Sequence, residues 1–102
     1  KDKSDELQMW RSMLTRTTKS GYIGCCEAIS RCDLTEQAKI INLPTLVIVG
    51  EEDGSTPVNL VRDAANLIKN SVFKVIEKAG HLPCVEKPNE VGSTFMQFLE
   101  NN

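Results

Sequence analysis

The sequence predicts an α/β fold with a parallel sheet, and three observations predict it. From Pro44 onward the apolar segments alternate in kind. A β-branched run, Thr45-Leu46-Val47-Ile48-Val49-Gly50, precedes a helical stripe of Val58, Val61, Ala65 and Ile68; a second strand, Val72 to Ile76, precedes a helical repeat of Val91, Phe95, Phe98 and Leu99. The first strand is apolar without polar alternation, the pattern of a strand covered by helices on both faces. The order strand, helix, strand, helix requires a right-handed crossover, which lays the two strands parallel with both C-terminal ends on one edge.

Ahead of this unit the chain reads as helices. Leu7, Trp10, Met13 and Leu14 recur at helical spacing after the acidic Asp5-Glu6, and the pattern fades in the stretch Thr15 to Thr18. Ser20 is the expected N-cap of a second helix, Gly21 to Arg31, with Tyr22, Cys25, Cys26 and Ile29 on its apolar face. Asp33, followed three residues later by Glu36, is a capping-box-like start for a third helix reaching about Ile40. The expected division is a helical segment over residues 1–42 and a strand-helix-strand-helix part over 43–102. Within the second part, Asp53-Gly54-Ser55-Thr56-Pro57 is a turn leading into a helix, residues 77–87 form a loop, and the last helix runs from about Pro88 to Leu99.

A chain of 102 residues accommodates one modest core, and 40% hydrophobic with 25% charged residues is ordinary globular composition. The formal net charge of −2 leaves no basic excess for phosphate backbones or anionic lipid, so neither nucleic acid nor a membrane is an expected partner. Leu46-Val47-Ile48-Val49 is too short to cross a bilayer, and the charged start Lys1-Asp2-Lys3 lacks the apolar region of an export signal. A cytoplasmic location is expected, and with it reduced, mostly buried thiols at Cys25, Cys26, Cys32 and Cys84. There is no Cys-x-x-Cys pair and a single histidine, so no metal site is expected.

The chemistry concentrates at the C-terminal edge of the sheet. Asp53 follows the first strand by three residues and His81 follows the second by about five, so parallel strands roughly 4.8 Å apart bring the two loops together. A carboxylate that accepts a hydrogen bond from one imidazole nitrogen fixes the tautomer and leaves the other nitrogen free to take a proton from a nucleophile. Gly80 lets the backbone turn sharply so that His81 projects over the edge. Asp53 and His81 are therefore the expected catalytic pair, and Glu51 and Glu52 read as solvated charges at the strand end.

These residues carry a resemblance. Pro44 to Gly50, then Asp53 and Thr56-Pro57, then Ala79-Gly80-His81-Leu82 and Glu86-Lys87-Pro88, resemble the C-terminal third of the α/β-hydrolase fold, whose chain order is nucleophile, acid, histidine. The resemblance covers residues 43–100 and implies that Asp53 stands at the triad acid and His81 at the triad base. Upstream, Gly21-Tyr22, Cys25-Cys26, Ala28-Ile29 and Asp33-Leu34 are similar to the end of the lid in 3-oxoadipate enol-lactonases, which hydrolyse a lactone in aromatic degradation. That likeness makes residues 1–42 a lid-derived segment and implies a carboxylate-bearing enol lactone, or an ester, as substrate. No metal or organic cofactor is implied. Arg11 and Arg16 are the basic groups within reach in sequence for the substrate carboxylate.

The departure from the family pattern is the nucleophile. No Gly-x-Ser-x-Gly elbow occurs, and none of the serines is expected on a strand-to-helix turn. The expectation is a C-terminal part of a longer hydrolase. The rival readings are a stand-alone association module and a part of a different α/β-hydrolase, such as a carboxylesterase or a haloperoxidase-like protein. A sheet of two parallel strands leaves the apolar first strand with an unpaired edge, and from this a homo-oligomer is expected. Light scattering over a concentration series is expected to show a dimer or larger species, and a well-folded monodisperse monomer at high concentration is the contrary result.

Overall fold

The computed structural model describes residues 3–102. They fall into two compact units, one up to Asp33 and one from Leu34 to Asn102. The first consists of α1 (Lys3–Arg16) and α2 (Lys19–Arg31). Asp5 and Glu6 occupy the first turn of α1 and Arg16 its last, each sign complementing the helix dipole. The cap of α2 is Thr18, not Ser20: Thr18 has the extended backbone a cap needs, and its Oγ1 accepts the Gly21 N–H at 3.2 Å. Ser20 already lies inside the first turn.

Neither helix of this unit holds a buried residue. The cysteines are not buried, in this unit or in the second. All four thiols, Cys25, Cys26, Cys32 and Cys84, are free but exposed rather than buried. A helix stripe is buried only where something packs on it, and the face carrying Tyr22, Cys25, Cys26 and Ile29 is uncovered.

The second unit runs α3 (Thr35–Lys39), β1 (Thr45–Gly50), α4 (Val58–Leu67), β2 (Ser71–Ile76), α5 (Pro83–Glu86) and α6 (Pro88–Glu100). The start of α3 falls one residue later than Asp33, at Leu34. This helix packs against α4 and so belongs with the sheet rather than with the helices before it. Strands β1 and β2 pair in parallel from Thr45 opposite Ser71 to Gly50 opposite Ile76. The sheet has these two strands only among the described residues, so each has one unpaired edge.

Alternation along β2 assigns the flanking helices to faces. Arg62 of α4 lies 5.4 Å from the centre of the Phe73 ring, whereas Val72 and Lys74 border a groove with Thr94, Gln97 and Phe98 of α6. Ser71 ties the end of α4 to the start of β2 by donating its hydroxyl to the Ala65 carbonyl at 2.7 Å. The expectation that β1 is covered throughout holds only at its end: Thr45 to Ile48 are half-buried, and Val49 and Gly50 are buried. The buried apolar residues are Val49, Ala65, Ile76 and Ala79: Val49, Ile76 and Ala79 gather at the C-terminal ends of the strands, and Ala65 lies beside the start of β2. No described helix is long and apolar enough to cross a membrane.

Candidate active site

Asp53 and His81 meet at that edge. The turn after β1 begins with the Asp53 N–H donating to the Gly50 carbonyl at 3.2 Å. The Asp53 carboxylate then closes the turn on itself, as aspartate does before a helix. Its Oδ1 accepts the Ser55 and Thr56 backbone N–H groups, both at 2.9 Å, and its Oδ2 accepts the Thr56 hydroxyl at 2.8 Å. His81 arrives from the turn after β2 and places Nδ1 at 2.9 Å from Oδ2 and 3.1 Å from Oδ1.

Four donor groups therefore converge on one carboxylate. The Thr56 backbone N–H, above all, holds its pKa far below the ordinary carboxylate value; burial works in the opposite direction, and His81, the Thr56 hydroxyl and the Ser55 N–H add to the lowering. An ionised carboxylate only accepts, so the shared proton sits on Nδ1 and the Nε2 lone pair is left to act as base. Exposure divides the work: the Asp53 side chain is 4% exposed and the His81 side chain 58%. The carboxylate is shielded and the imidazole is open to solvent.

The approach of the two loops depends on Gly50. A Cβ there would fall inside the van der Waals radii of the Ala79 and Gly80 carbonyl oxygens, so the last residue of β1 must be glycine for the peptide groups before His81 to pass. Ala79 is fully buried at this crossing. The segment expected as one loop over 77–87 contains the short helix α5, which places Glu86 against the Gly80 N–H, at 3.0 Å from Oε1 and 3.1 Å from Oε2. Glu51, read from the sequence as a solvated charge, accepts the Lys78 N–H at 3.1 Å; Glu52 is exposed, and its backbone N–H donates to the Ala79 carbonyl at 2.9 Å.

Three contributors escaped the sequence reading. Thr56 was visible as a turn residue and as part of the Thr56-Pro57 motif, with no role attached, yet it supplies two of the bonds to Asp53. The signal for Glu86 was its place in the Glu86-Lys87-Pro88 motif close after Gly80-His81, and Glu51 offered none. The serine expectation also needs correction: Ser55 does lie in the connection from β1 to α4, because that connection is the Asp53 turn itself. It is not flanked by the elbow glycines. Arg11 and Arg16 are exposed on α1. Among the described residues no group of three histidine, cysteine, aspartate or glutamate side chains could hold a metal ion.

No family model matches the chain. Individual proteins do. A non-heme haloperoxidase of Rhodococcus erythropolis is 30% identical over 90% of this chain and 34% of its own length. The 3-oxoadipate enol-lactonase 2 of Acinetobacter baylyi is 36% identical over 74% of this chain and 28% of its own. Among solved structures, the enol-lactonase from Burkholderia xenovorans LB400 superimposes with a TM-score of 0.89 at 31% identity, covering 96% of this chain and 37% of that one. The chain thus spans about a third of the length of the relatives it matches.

Proposed function

Because this chain has the fold of a C-terminal part of an α/β-hydrolase, we propose that Asp53 and His81 are the acid and the base of a serine-type triad. In this reading the reaction is hydrolysis of a carboxylate-bearing enol lactone, that of 3-oxoadipate, and the nucleophile comes from sequence outside these 102 residues. The observation that carries the proposal is the Asp53 carboxylate on Nδ1 of an imidazole whose side chain is otherwise open. The choice of substrate is supported by enol-lactonase likeness that extends through the helical unit as well as the sheet.

The chemistry follows from the geometry. As a serine oxygen attacks the lactone carbonyl, His81 Nε2 takes the hydroxyl proton, and Asp53, ionised throughout, stabilises the imidazolium that forms. Collapse of the tetrahedral intermediate breaks the bond to the enol oxygen, which takes the proton from His81 and leaves as an enol. Water then attacks the acyl-enzyme ester with His81 again as base, releasing the second carboxylate and restoring the serine.

Two assays test this. Residues 1–102 alone are expected to turn over neither the enol lactone nor an activated ester, since an acid and a base without nucleophile and oxyanion hole do not complete the reaction. Turnover of the chain alone that His81→Ala abolishes would overturn the proposal. In the complete enzyme, His81→Ala is expected to lower kcat/KM for the enol lactone by about 10³-fold or more. The likeness to a thermophilic esterase from Thermogutta terrifontis, 37% identical over 70% of this chain, favours a second reading, an esterase of broader taste. A kcat/KM for simple activated esters well above that for the enol lactone selects it.

A further inference from the structure

The run leading into His81 is held at nearly every peptide group. The Ile76 carbonyl accepts the Glu51 N–H at 2.9 Å, and the Ala79 carbonyl accepts the Glu52 N–H at 2.9 Å. Any residue could supply those two backbone bonds. The remaining two need a side-chain acceptor at a defined place: Glu51 Oε2 on the Lys78 N–H, and both oxygens of Glu86 on the Gly80 N–H.

The two carboxylates act where the backbone has most freedom to leave. Lys78 has φ 52, in the left-handed region that a lysine seldom occupies, so its conformation must be imposed from outside. Gly80 is the residue with the widest conformational range and stands directly before the imidazole. A charge-assisted bond at each position stiffens the turn at its strained residue and at its loose one.

We propose that Glu51 and Glu86 are positioning residues: acting on the Lys78 and Gly80 N–H groups, they fix the turn so that Nδ1 of His81, rather than Nε2, meets Asp53. The proposal rests on Asp53 and His81 being the acid and base, but its test reads the imidazole and not turnover. His81 is the only histidine, so its ring nitrogens give unambiguous ¹⁵N signals in the whole 102-residue chain. At a pH where the ring is neutral, the ratio of Nδ1–H to Nε2–H tautomer measures its seat on Asp53.

Glu86→Ala and Glu51→Ala are each expected to lower that ratio roughly three- to tenfold, the effect of losing one charge-assisted bond. Amide signals of β1 and α4 should stay in place. Glu86→Gln keeps an acceptor oxygen and is expected to return the ratio towards the parent chain. An unchanged ratio in Glu51→Ala or Glu86→Ala with an intact amide spectrum overturns the proposal, as does a Glu86→Gln ratio as low as that of Glu86→Ala. Should Glu86→Ala fail to fold, Glu51→Ala carries the test, and an unchanged ratio there overturns the proposal. Loss of the ratio in a complete enzyme that does not hydrolyse lactones would leave the positioning intact and remove only the substrate assignment.

Discussion

Gly50→Ala is expected to dismantle the Asp53–His81 pair from a residue that belongs to neither loop. The added methyl has nowhere to go, because it meets backbone oxygens of Ala79 and Gly80 rather than the end of a flexible side chain. Strand β1 and the turn after β2 must separate, and the fully buried Ala79 leaves its seat as they do. Overpacking of this kind costs about 1–3 kcal/mol, and here the strain falls on a core of only a few buried residues. The variant is expected to lose most of its urea midpoint, and in the fraction that stays folded His81 Nδ1 no longer contacts Asp53. Retention of both the midpoint and the tautomer ratio would show that the two loops need no such close approach.

Asp53→Asn is expected to leave the chain folded at neutral pH and the complete enzyme nearly inactive. The amide oxygen still accepts from the turn, but the amide NH₂ takes the place of Oδ2 before Nδ1, favouring the tautomer with the proton on Nε2. A base with its lone pair turned inward cannot take a proton, and the equivalent exchange in a serine protease lowers kcat about 10⁴-fold, the scale expected here. The same substitution isolates a pH effect. The folded-state pKa of Asp53 lies below its usual value near 3.8, so its ionised form stabilises the fold above that pH, and the contribution is lost as pH falls through and beneath it. Urea midpoints of the parent chain and of Asp53→Asn are therefore expected to converge from about pH 4 downward. A gap that is constant between pH 7 and pH 3 would contradict the carboxylate's role.

The meeting of Asp53 and His81 was legible because parallel topology fixes where loops emerge. Once Thr45 to Gly50 and Val72 to Ile76 are strands of one crossover, Asp53 and His81 must share an edge, whatever the detailed turn. What was not legible depends on conformations that sequence distance hides. Helix α5 has four residues, too few to show a period, and without it Glu86 is an unremarkable charge in a loop. Glu51 reaches the Lys78 N–H across 27 residues, and only the register of β1 on β2 makes them neighbours. The cap of α2 was misplaced for a smaller reason: Thr18 and Ser20 are both good capping residues, and the choice is made by which one leaves the helix in extended backbone. Burial of the thiols was overestimated because an apolar stripe states what a helix can cover, not that anything covers it.

The hydrogen bond between Asp53 and His81 spans 28 residues, with the whole of α4 between them. A contact of that sequence separation is disfavoured early in folding, because the entropy of closing the crossover must be met before the strands begin to repay it. Helix α4 can form locally, whereas the turn that seats His81 waits for β1 and β2 to pair up to Gly50 and Ile76. The site is therefore expected to assemble last, with its imidazole as an internal clock: on refolding, the His81 ring signal is expected to reach its native position no sooner than the slowest amide of the sheet.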